Sequence, residues 1–238
     1  MPFEKPVALK LARHAEDAYL SDEELDNIYG DRLESTFNVR IDDSDILKVF
    51  PYVRGFILKE LDKNTIAFKG TDDPTDWILN IQFTKTSISW LNKYHPIPKG
   101  HKGFTNAYKA IRNHILSSDR NYKNTIYVTG HSLGAAIATL AALDLKNFFP
   151  EKTVIVYTFA SPRMGDRKFA EIFNSEINNK TQRVYIKGDL VPETPFTTNG
   201  PDSYKHVDKK VQLQNDDLNV LAKHRIRNII NTIYEYNK

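Results

Sequence analysis

The sequence predicts an α/β fold with a central, mostly parallel sheet covered by helices on both faces. The 238 residues are 40% apolar, which is enough to bury a sizeable core. From position 125 onward, short β-rich runs alternate with helical patterns, and such alternation favours parallel strands joined by helices. The predicted strands are residues 125–129, 153–159 and 182–186, and the predicted helices are residues 133–149 and 167–174.

Earlier segments carry shorter patterns. Residues 7–19 predict a first helix, and residues 56–58 and 65–68 indicate paired strands joined by a turn at 62–64. Two further helices are predicted from apolar stripes. One stripe is Phe104, Tyr108, Ile111 and Ile115, and the other is Ile226, Ile229, Ile230 and Ile233. No repeat or linker interrupts the chain, so we expect a single domain over residues 1–238.

Charge and composition exclude several classes of protein. The formal charge of +3 is small, and no basic run is interleaved with stacking aromatics, so we expect no nucleic-acid partner. Between positions 93 and 123, however, seven basic residues face a single acidic one, Asp119. This stretch indicates either a solvated basic face or attraction to an anionic lipid surface. The basic residues are Lys93, Lys99, Lys102, Lys109, Arg112, Arg120 and Lys123.

The chain has no cysteine, which excludes disulfides, thiol nucleophiles and cysteine-bound zinc. The longest apolar stretch, around residues 135–143, is shorter than the roughly 20 residues of a spanning helix. We therefore expect a soluble protein without a transmembrane segment. Its compartment, secreted after loss of a leader or cytoplasmic, stays open, as does its oligomeric state.

The segment Gly130-His131-Ser132-Leu133-Gly134 fits the pattern G-x-S-x-G. It directly follows a predicted strand and directly opens an alanine-rich helix, which is the setting that a nucleophile elbow requires. In so tight a turn small residues must flank the serine. The pattern predicts Ser132 as a nucleophile at a helix N-terminus, where the amide of Leu133 can point at an oxyanion.

The elbow and its flanks, residues 128–136, resemble those of the class 3 lipases, and four further regions agree in the family's order. The resemblance covers about residues 56–224 and implies an α/β-hydrolase fold. Lys69, where Arg is usual, and Ala135, where a second Gly is common, depart from the pattern. The four regions are Phe68-Lys69-Gly70-Thr71 with Asp76-Trp77, His101-Lys102-Gly103-Phe104, residues 158–165, and Gly188-Asp189-Leu190-Val191-Pro192.

A serine nucleophile needs a base, and the base needs an acid that orients it. In this fold the chain order is serine, acid, histidine. Asp189 matches the family's catalytic acid. His206 and His224 are the histidines that follow it. The resemblance favours His224 as the base and gives His206 a structural place, and the choice between them needs geometry.

The resemblance also assigns an oxyanion hole and a lid. Thr71 matches the second oxyanion donor, beside the amide of Leu133. Asp73-Pro74 then predicts a helix start, with Asp73 as the cap and Pro74 in the first position. The segment that follows acts as a lid in the resembling lipases. Its predicted members are Asp73, Trp77, Ile78, Leu79 and Ile81.

Together these features predict a carboxylic ester hydrolase that works through an acyl-enzyme with Ser132, His224 and Asp189. The resemblance favours a lipase acting on acylglycerols, with a phospholipase A1 or an aryl-ester (feruloyl-type) esterase as alternatives. A non-catalytic lipid-binding pseudo-hydrolase is the alternative from another class. We expect no metal or organic cofactor, and the partners expected are a lipid or ester substrate and a transient lipid interface.

Overall fold

The computed structural model describes residues 1–41, 51–71, 83–117, 120–196, 200 and 203–236. Seven α-helices are described in these ranges. They are α1 Lys5–Asp17, α2 Asp22–Tyr29, α3 Lys102–Ile115, α4 Leu133–Phe148, α5 Arg167–Ile177, α6 Val220–His224 and α7 Ile226–Glu235. Short 3-10 turns occupy Gly30–Arg32, Ser89–Leu91 and Val191–Glu193. No helix among the described residues is long and apolar enough to cross a membrane.

Eleven strands are described in the same ranges. They are β1 Leu33–Arg40, β2 Tyr52–Lys59, β3 Lys63–Phe68, β4 Lys85–Ser87, β5 Lys99–His101, β6 Thr125–His131, β7 Thr153–Phe159, β8 Gly165–Asp166, β9 Thr181–Ile186, β10 Tyr204–Lys205 and β11 Lys210–Leu213. The main sheet has the order β1-β2-β3-β6-β7-β9-β11, and a small antiparallel sheet has the order β10-β8-β5-β4.

The main sheet is mostly parallel, as the sequence predicts. Strands β3, β6, β7, β9 and β11 run parallel to their neighbours, while β1, β2 and β3 form antiparallel pairs at one edge. Both faces are covered. Along β7, Val154 and Val156 face a core cluster shared with α3, α4 and α5. Tyr157 and Phe159 face the cluster shared with α1 and α7. That the whole chain forms one domain stays a prediction.

Several predicted boundaries were wrong. The first helix ends at Asp17, so Tyr19 lies beyond it. The turn between β2 and β3 precedes Lys63, and Asn64 belongs to β3. Asn64 is buried there, and its side-chain amide finds hydrogen-bond partners. It donates to the carbonyl of Leu58 at 3.1 Å and accepts from the amide of Lys123 at 2.7 Å. An amide side chain that is paired in this way stabilises a strand position that its turn propensity disfavours.

The basic stretch of residues 93–123 is partly structural. The Nε of Arg112 donates to the buried carboxylate of Asp144 at 2.6 Å, and the guanidinium lies over the ring of Trp90. Arg120 pairs with Glu34 at 2.9 Å. These two cations therefore stabilise the packing of the fold, and Lys93 and Lys109 are the exposed lysines of the stretch.

Helix α4 packs against the carbonyl groups at the end of β3, and Gly134 makes this approach possible. A Cβ atom at Gly134 would lie 2.4 Å from the carbonyl oxygen of Phe68 and 2.6 Å from that of Lys69. A Cβ at Gly130 would lie 2.5 Å from the carbonyl oxygen of Gly134. Strand, turn and helix are thus in backbone contact, and no side chain fits between them.

We expect Gly134→Ala to destabilise the protein by about 1 to 3 kcal/mol, because backbone atoms must move to admit the methyl group. Helix propensity alone predicts the opposite sign, a gain of up to about 1 kcal/mol. Gly200→Ala is the matched control, since no atom of the described residues lies within 4 Å of the added methyl group. Urea unfolding measures both variants, and a Gly134→Ala protein as stable as the control would contradict the packing argument.

His14 lies buried on α1, against the rings of Tyr29 and Phe56, and its Nδ1 has no partner among the described residues. Burial, followed by the charge of Lys10, lowers the pKa of His14 from 6.5 to about 4. Between these values the unfolded chain binds a proton that the folded chain excludes. The contribution of His14 to stability is therefore fully present above pH 6.5 and is lost as the pH falls toward about 4.

We expect His14→Leu to make the free energy of unfolding less dependent on pH in this window, by about 1 kcal/mol per pH unit. The comparison with the unchanged protein removes the effect of all other titrating groups. Urea unfolding at several pH values across the window measures it. If the free energies of unfolding of the two proteins change with pH in parallel, His14 is protonated equally in the folded and unfolded states.

Candidate active site

The chain turns at Ser132 from β6 into α4, and the serine itself adopts a left-handed conformation with φ 57° and ψ −125°. Its amide donates to the carbonyl of Phe159 at 2.9 Å, and its carbonyl accepts from the amide of Ala135 at 3.0 Å. A non-glycine residue at positive φ is uncommon and strained. This conformation lifts the side chain off the sheet at the N-terminus of the helix.

Ser132, His224 and Asp189 form one hydrogen-bonded chain. The Nε2 of His224 lies 2.9 Å from the Oγ of Ser132, and its Nδ1 lies 2.9 Å and 3.1 Å from the two carboxylate oxygens of Asp189. All three are at most 4% exposed. A carboxylate accepts only, so Nδ1 carries the imidazole proton and Nε2 is free to accept the proton of the serine hydroxyl.

Two members of this chain come from the same edge of the sheet, and the third comes from a short helix. Ser132 follows β6, and Asp189 lies in the turn after β9, where its carboxylate accepts from the amide of Val191 at 3.0 Å. His224 is the last residue of α6, a short helix capped by Asn219 through the amide of Ala222. Carboxyl ends of parallel strands meet at one edge, which brings residues that are distant in sequence together.

The structure places His206 elsewhere. Its Nε2 lies 2.7 Å from the carbonyl oxygen of Pro192, so the ring holds the turn that carries Asp189. Burial, and then the charge of Arg183, lower the pKa of His206 well below its ordinary value. A neutral ring that donates to a carbonyl fits a structural role. Of the two histidines left open by the sequence, His224 is thus the one beside Ser132.

Of the two predicted oxyanion donors, Leu133 follows the serine directly, and Thr71 follows a residue that lies against it. Leu133 is the first residue of α4, so its amide belongs to the first turn, whose N–H groups lack intrahelical acceptors. A Cβ at Gly70 would lie 3.3 Å from the Cβ of Ser132, which brings the residue before Thr71 against the elbow. Thr71 and His224 line a common cavity of about 210 Å³.

The predicted lid residues Asp73, Trp77, Ile78, Leu79 and Ile81 lie outside the described residues. The apolar stretch that follows them is described in part. Ile88 and Leu91 are fully buried in the core, and Trp90 packs against it. Ile88, Trp90 and Leu91 therefore belong to the core.

Sequence reasoning missed Tyr19 and the charged rim of the cavity. Glu16, Tyr19, Arg225 and Arg227 line the cavity together with Thr71 and His224. Tyr19 is more than a hundred positions from Ser132, and no motif links the two, so only the fold could reveal it. Within the described part of the chain, no cluster of three or more His, Asp or Glu residues could hold a metal ion.

The chain is similar in sequence to known lipases and phospholipases. A lipase of Rhizomucor miehei is 33% identical over 140 residues, and a chloroplast phospholipase A(1) of Arabidopsis thaliana is 30% identical over 148 residues. Each match covers 55% of this chain, but 37% and 33% of those proteins, so the chain spans about a third of these relatives' length.

The solved structure of the Rhizomucor miehei triacylglyceride lipase superposes with a TM-score of 0.69. The match covers 89% of this chain and 80% of that one at 22% identity, which shows the α/β-hydrolase fold. The sequence profile of the family described as Lipase (class 3) matches residues 65–199, more than half of the chain and including Ser132 and Asp189. Sequence and fold therefore agree, and the chain belongs to the class 3 lipase family.

Proposed function

We propose that this protein is a serine carboxylic ester hydrolase that degrades lipids by cleaving acylglycerol esters. The observation that carries the proposal is the buried chain of hydrogen bonds from Ser132 Oγ through His224 to Asp189. This arrangement supplies a nucleophile, a base and an orienting acid in the geometry that ester hydrolysis through an acyl-enzyme requires.

In the proposed reaction, Ser132 Oγ attacks the carbonyl carbon of the ester while His224 Nε2 takes its proton. The negative charge that develops on the carbonyl oxygen is stabilised by the amides of Leu133 and Thr71. His224 then donates the proton to the leaving alcohol, which departs and leaves the acyl group on Ser132. A water molecule, deprotonated by His224, then attacks the acyl carbon. The bond from that carbon to Ser132 Oγ breaks, His224 returns the proton to Oγ, and the fatty acid is released. Asp189 holds the imidazole in the required tautomer and stabilises its charged form throughout.

Relatives support a lipid substrate. They include a lipase of Rhizomucor miehei and a secreted mono- and diacylglycerol lipase of Penicillium cyclopium, the latter 31% identical over 150 residues. A phospholipase A1 activity is the second candidate. Its support is the 30% identical Arabidopsis thaliana phospholipase A(1).

We expect Ser132→Ala to lower kcat by about five to six orders of magnitude without unfolding the protein, and His224→Ala to be nearly as damaging, because the two residues act as a unit. His206→Ala is the matched control, since that ring contacts Pro192 and not the serine. It should keep most of the activity and lose stability. Hydrolysis of a p-nitrophenyl ester measures all three.

A fluorophosphonate probe, followed by mapping of the labelled residue, tests the nucleophile independently. Labelling at a serine other than Ser132 would overturn the assignment. A folded protein that neither reacts with the probe nor cleaves any ester would instead be a lipid-binding member of the family without catalysis.

A further expectation concerns activity at the surface of an aggregated lipid substrate. We expect the rate on a short-chain triglyceride to rise above the hyperbolic curve once its solubility limit is passed, because the proposed lid, Asp73 to Ile81, would open at the lipid surface. The same assay with phosphatidylcholine vesicles separates the two candidates. A hyperbolic curve with no break would mean an esterase without interfacial activation, and faster cleavage of the phospholipid would favour phospholipase A1.

A further inference from the structure

His131, the residue before the nucleophile, is buried and contacts the main chain of His224. Its Nε2 lies 2.7 Å from the carbonyl oxygen of His224, and the two imidazole rings lie 4.8 Å apart, centroid to centroid. On its other side, Nδ1 of His131 lies 2.9 Å from the hydroxyl of Tyr19. The three residues thus form a second polar chain, which ends at the main-chain carbonyl of His224.

The chemistry of the partners fixes the protons in this chain. A carbonyl oxygen only accepts, so Nε2 of His131 must carry the ring proton and donate a hydrogen bond to the carbonyl oxygen of His224. Burial, and then repulsion from His224, lower the pKa of His131 to about 3, so the ring is neutral and Nδ1 has a free lone pair. The hydroxyl of Tyr19 donates to that lone pair. Tyr19 therefore selects the tautomer of His131 that can hold His224.

The hydrogen bond from His131 to the carbonyl of His224 acts at the end of a very short helix. Helix α6 is only five residues long, and the chain turns into extended backbone at Arg225. The ring of His224 must nevertheless stay within hydrogen-bond range of Ser132 and of Asp189 at once. Because His131 and Ser132 are consecutive, the bond ties the main chain of His224 directly to the backbone of the nucleophile.

Tyr19 connects the same chain to the oxyanion side of the site. It lies just beyond α1, and its hydroxyl oxygen is 3.4 Å from the carbonyl oxygen of Thr71. The hydroxyl has one proton, and the shorter contact, to His131, receives it. The hydroxyl of Tyr19 thus contacts both His131, which belongs to the elbow, and Thr71, the proposed oxyanion donor.

We propose that His131 and Tyr19 are positioning residues of the proposed hydrolysis: Tyr19 fixes the tautomer of His131, and His131 holds the carbonyl of His224 so that its ring stays aligned on Ser132. The proposal rests on the function proposed above. It predicts effects on turnover from two side chains that touch neither the reacting ester nor the proton in transfer.

The first test compares amide variants at position 131. In His131→Gln the side-chain amide can donate from the position of Nε2, toward the carbonyl of His224. In His131→Asn the shorter amide matches Nδ1 and reaches toward Tyr19 only. We expect His131→Asn and His131→Leu to lower kcat on a soluble p-nitrophenyl ester by about 10- to 100-fold with KM within about twofold, since a small misplacement of the base has effects of this size.

His131→Gln should restore kcat to within about threefold of the unchanged protein, because the donor to His224 is kept. A purely structural role would lower the melting temperature of all three variants without this split between Gln and Asn. Equal kcat for His131→Gln and His131→Asn would overturn the proposal. This comparison still stands if His131→Leu fails to fold.

The second test is a double-mutant cycle. Tyr19→Phe should lower kcat by about tenfold in the unchanged protein and have no further effect in His131→Asn, because Tyr19 acts through His131. Tyr29→Phe is the matched control: its hydroxyl also bonds near α1, to Asp17 at 2.5 Å, but it does not line the cavity. Additive effects of Tyr19→Phe and His131→Asn would contradict the coupling.

Failure of this proposal is distinct from failure of the proposed function. The rate of fluorophosphonate labelling at Ser132 is measured for every variant. If the unchanged protein is neither labelled nor active, the proposed function fails. If it is labelled and active while His131→Asn and Tyr19→Phe match it, only the positioning roles are lost.

Discussion

A non-glycine residue held at φ 57° carries strain of the order of 1–3 kcal/mol, and at Ser132 this strain is borne by packing on both sides. Strand β6 and helix α4 approach so closely at Gly130 and Gly134 that backbone atoms are in contact, and the turn between them has no room to relax. Every other group of the candidate site is placed relative to this turn. A shift of the turn would therefore move both the serine hydroxyl and the amide of Leu133.

The surrounding groups reach the turn because the parallel strands of the main sheet end at the same edge. Strand β3 brings Gly70 and Thr71 against the elbow, and the turn after β9 brings Asp189. His224 comes from a helix and not from a strand, so the sheet does not fix its position. Its placement depends on hydrogen bonds with side chains, with His131 at its main-chain carbonyl and with Asp189 at its ring.

Local sequence predicted those parts of the site whose geometry is local. The elbow is predictable because its strand, its glycines and its helix are contiguous. The parallel strands β6, β7 and β9 are predictable because each is rich in β-branched and aromatic residues over an ordinary strand length. The small sheet of β4, β5, β8 and β10 has strands of two or three residues, too short for any periodicity. The choice between His206 and His224, and the presence of Tyr19, depend on contacts across the fold that no spacing in the sequence encodes.

The base is contributed late in the chain. His224 follows Ser132 by 92 positions, and helix α7, directly after it, packs in one core cluster with α1. At ribosomal elongation rates of about 5 to 20 residues per second, a nascent chain holds its elbow for about 5 to 20 s before the base is made. During that interval the serine lacks a proton acceptor. In the growing chain, the elbow is therefore complete in sequence before the histidine that lies beside its serine in the folded protein exists.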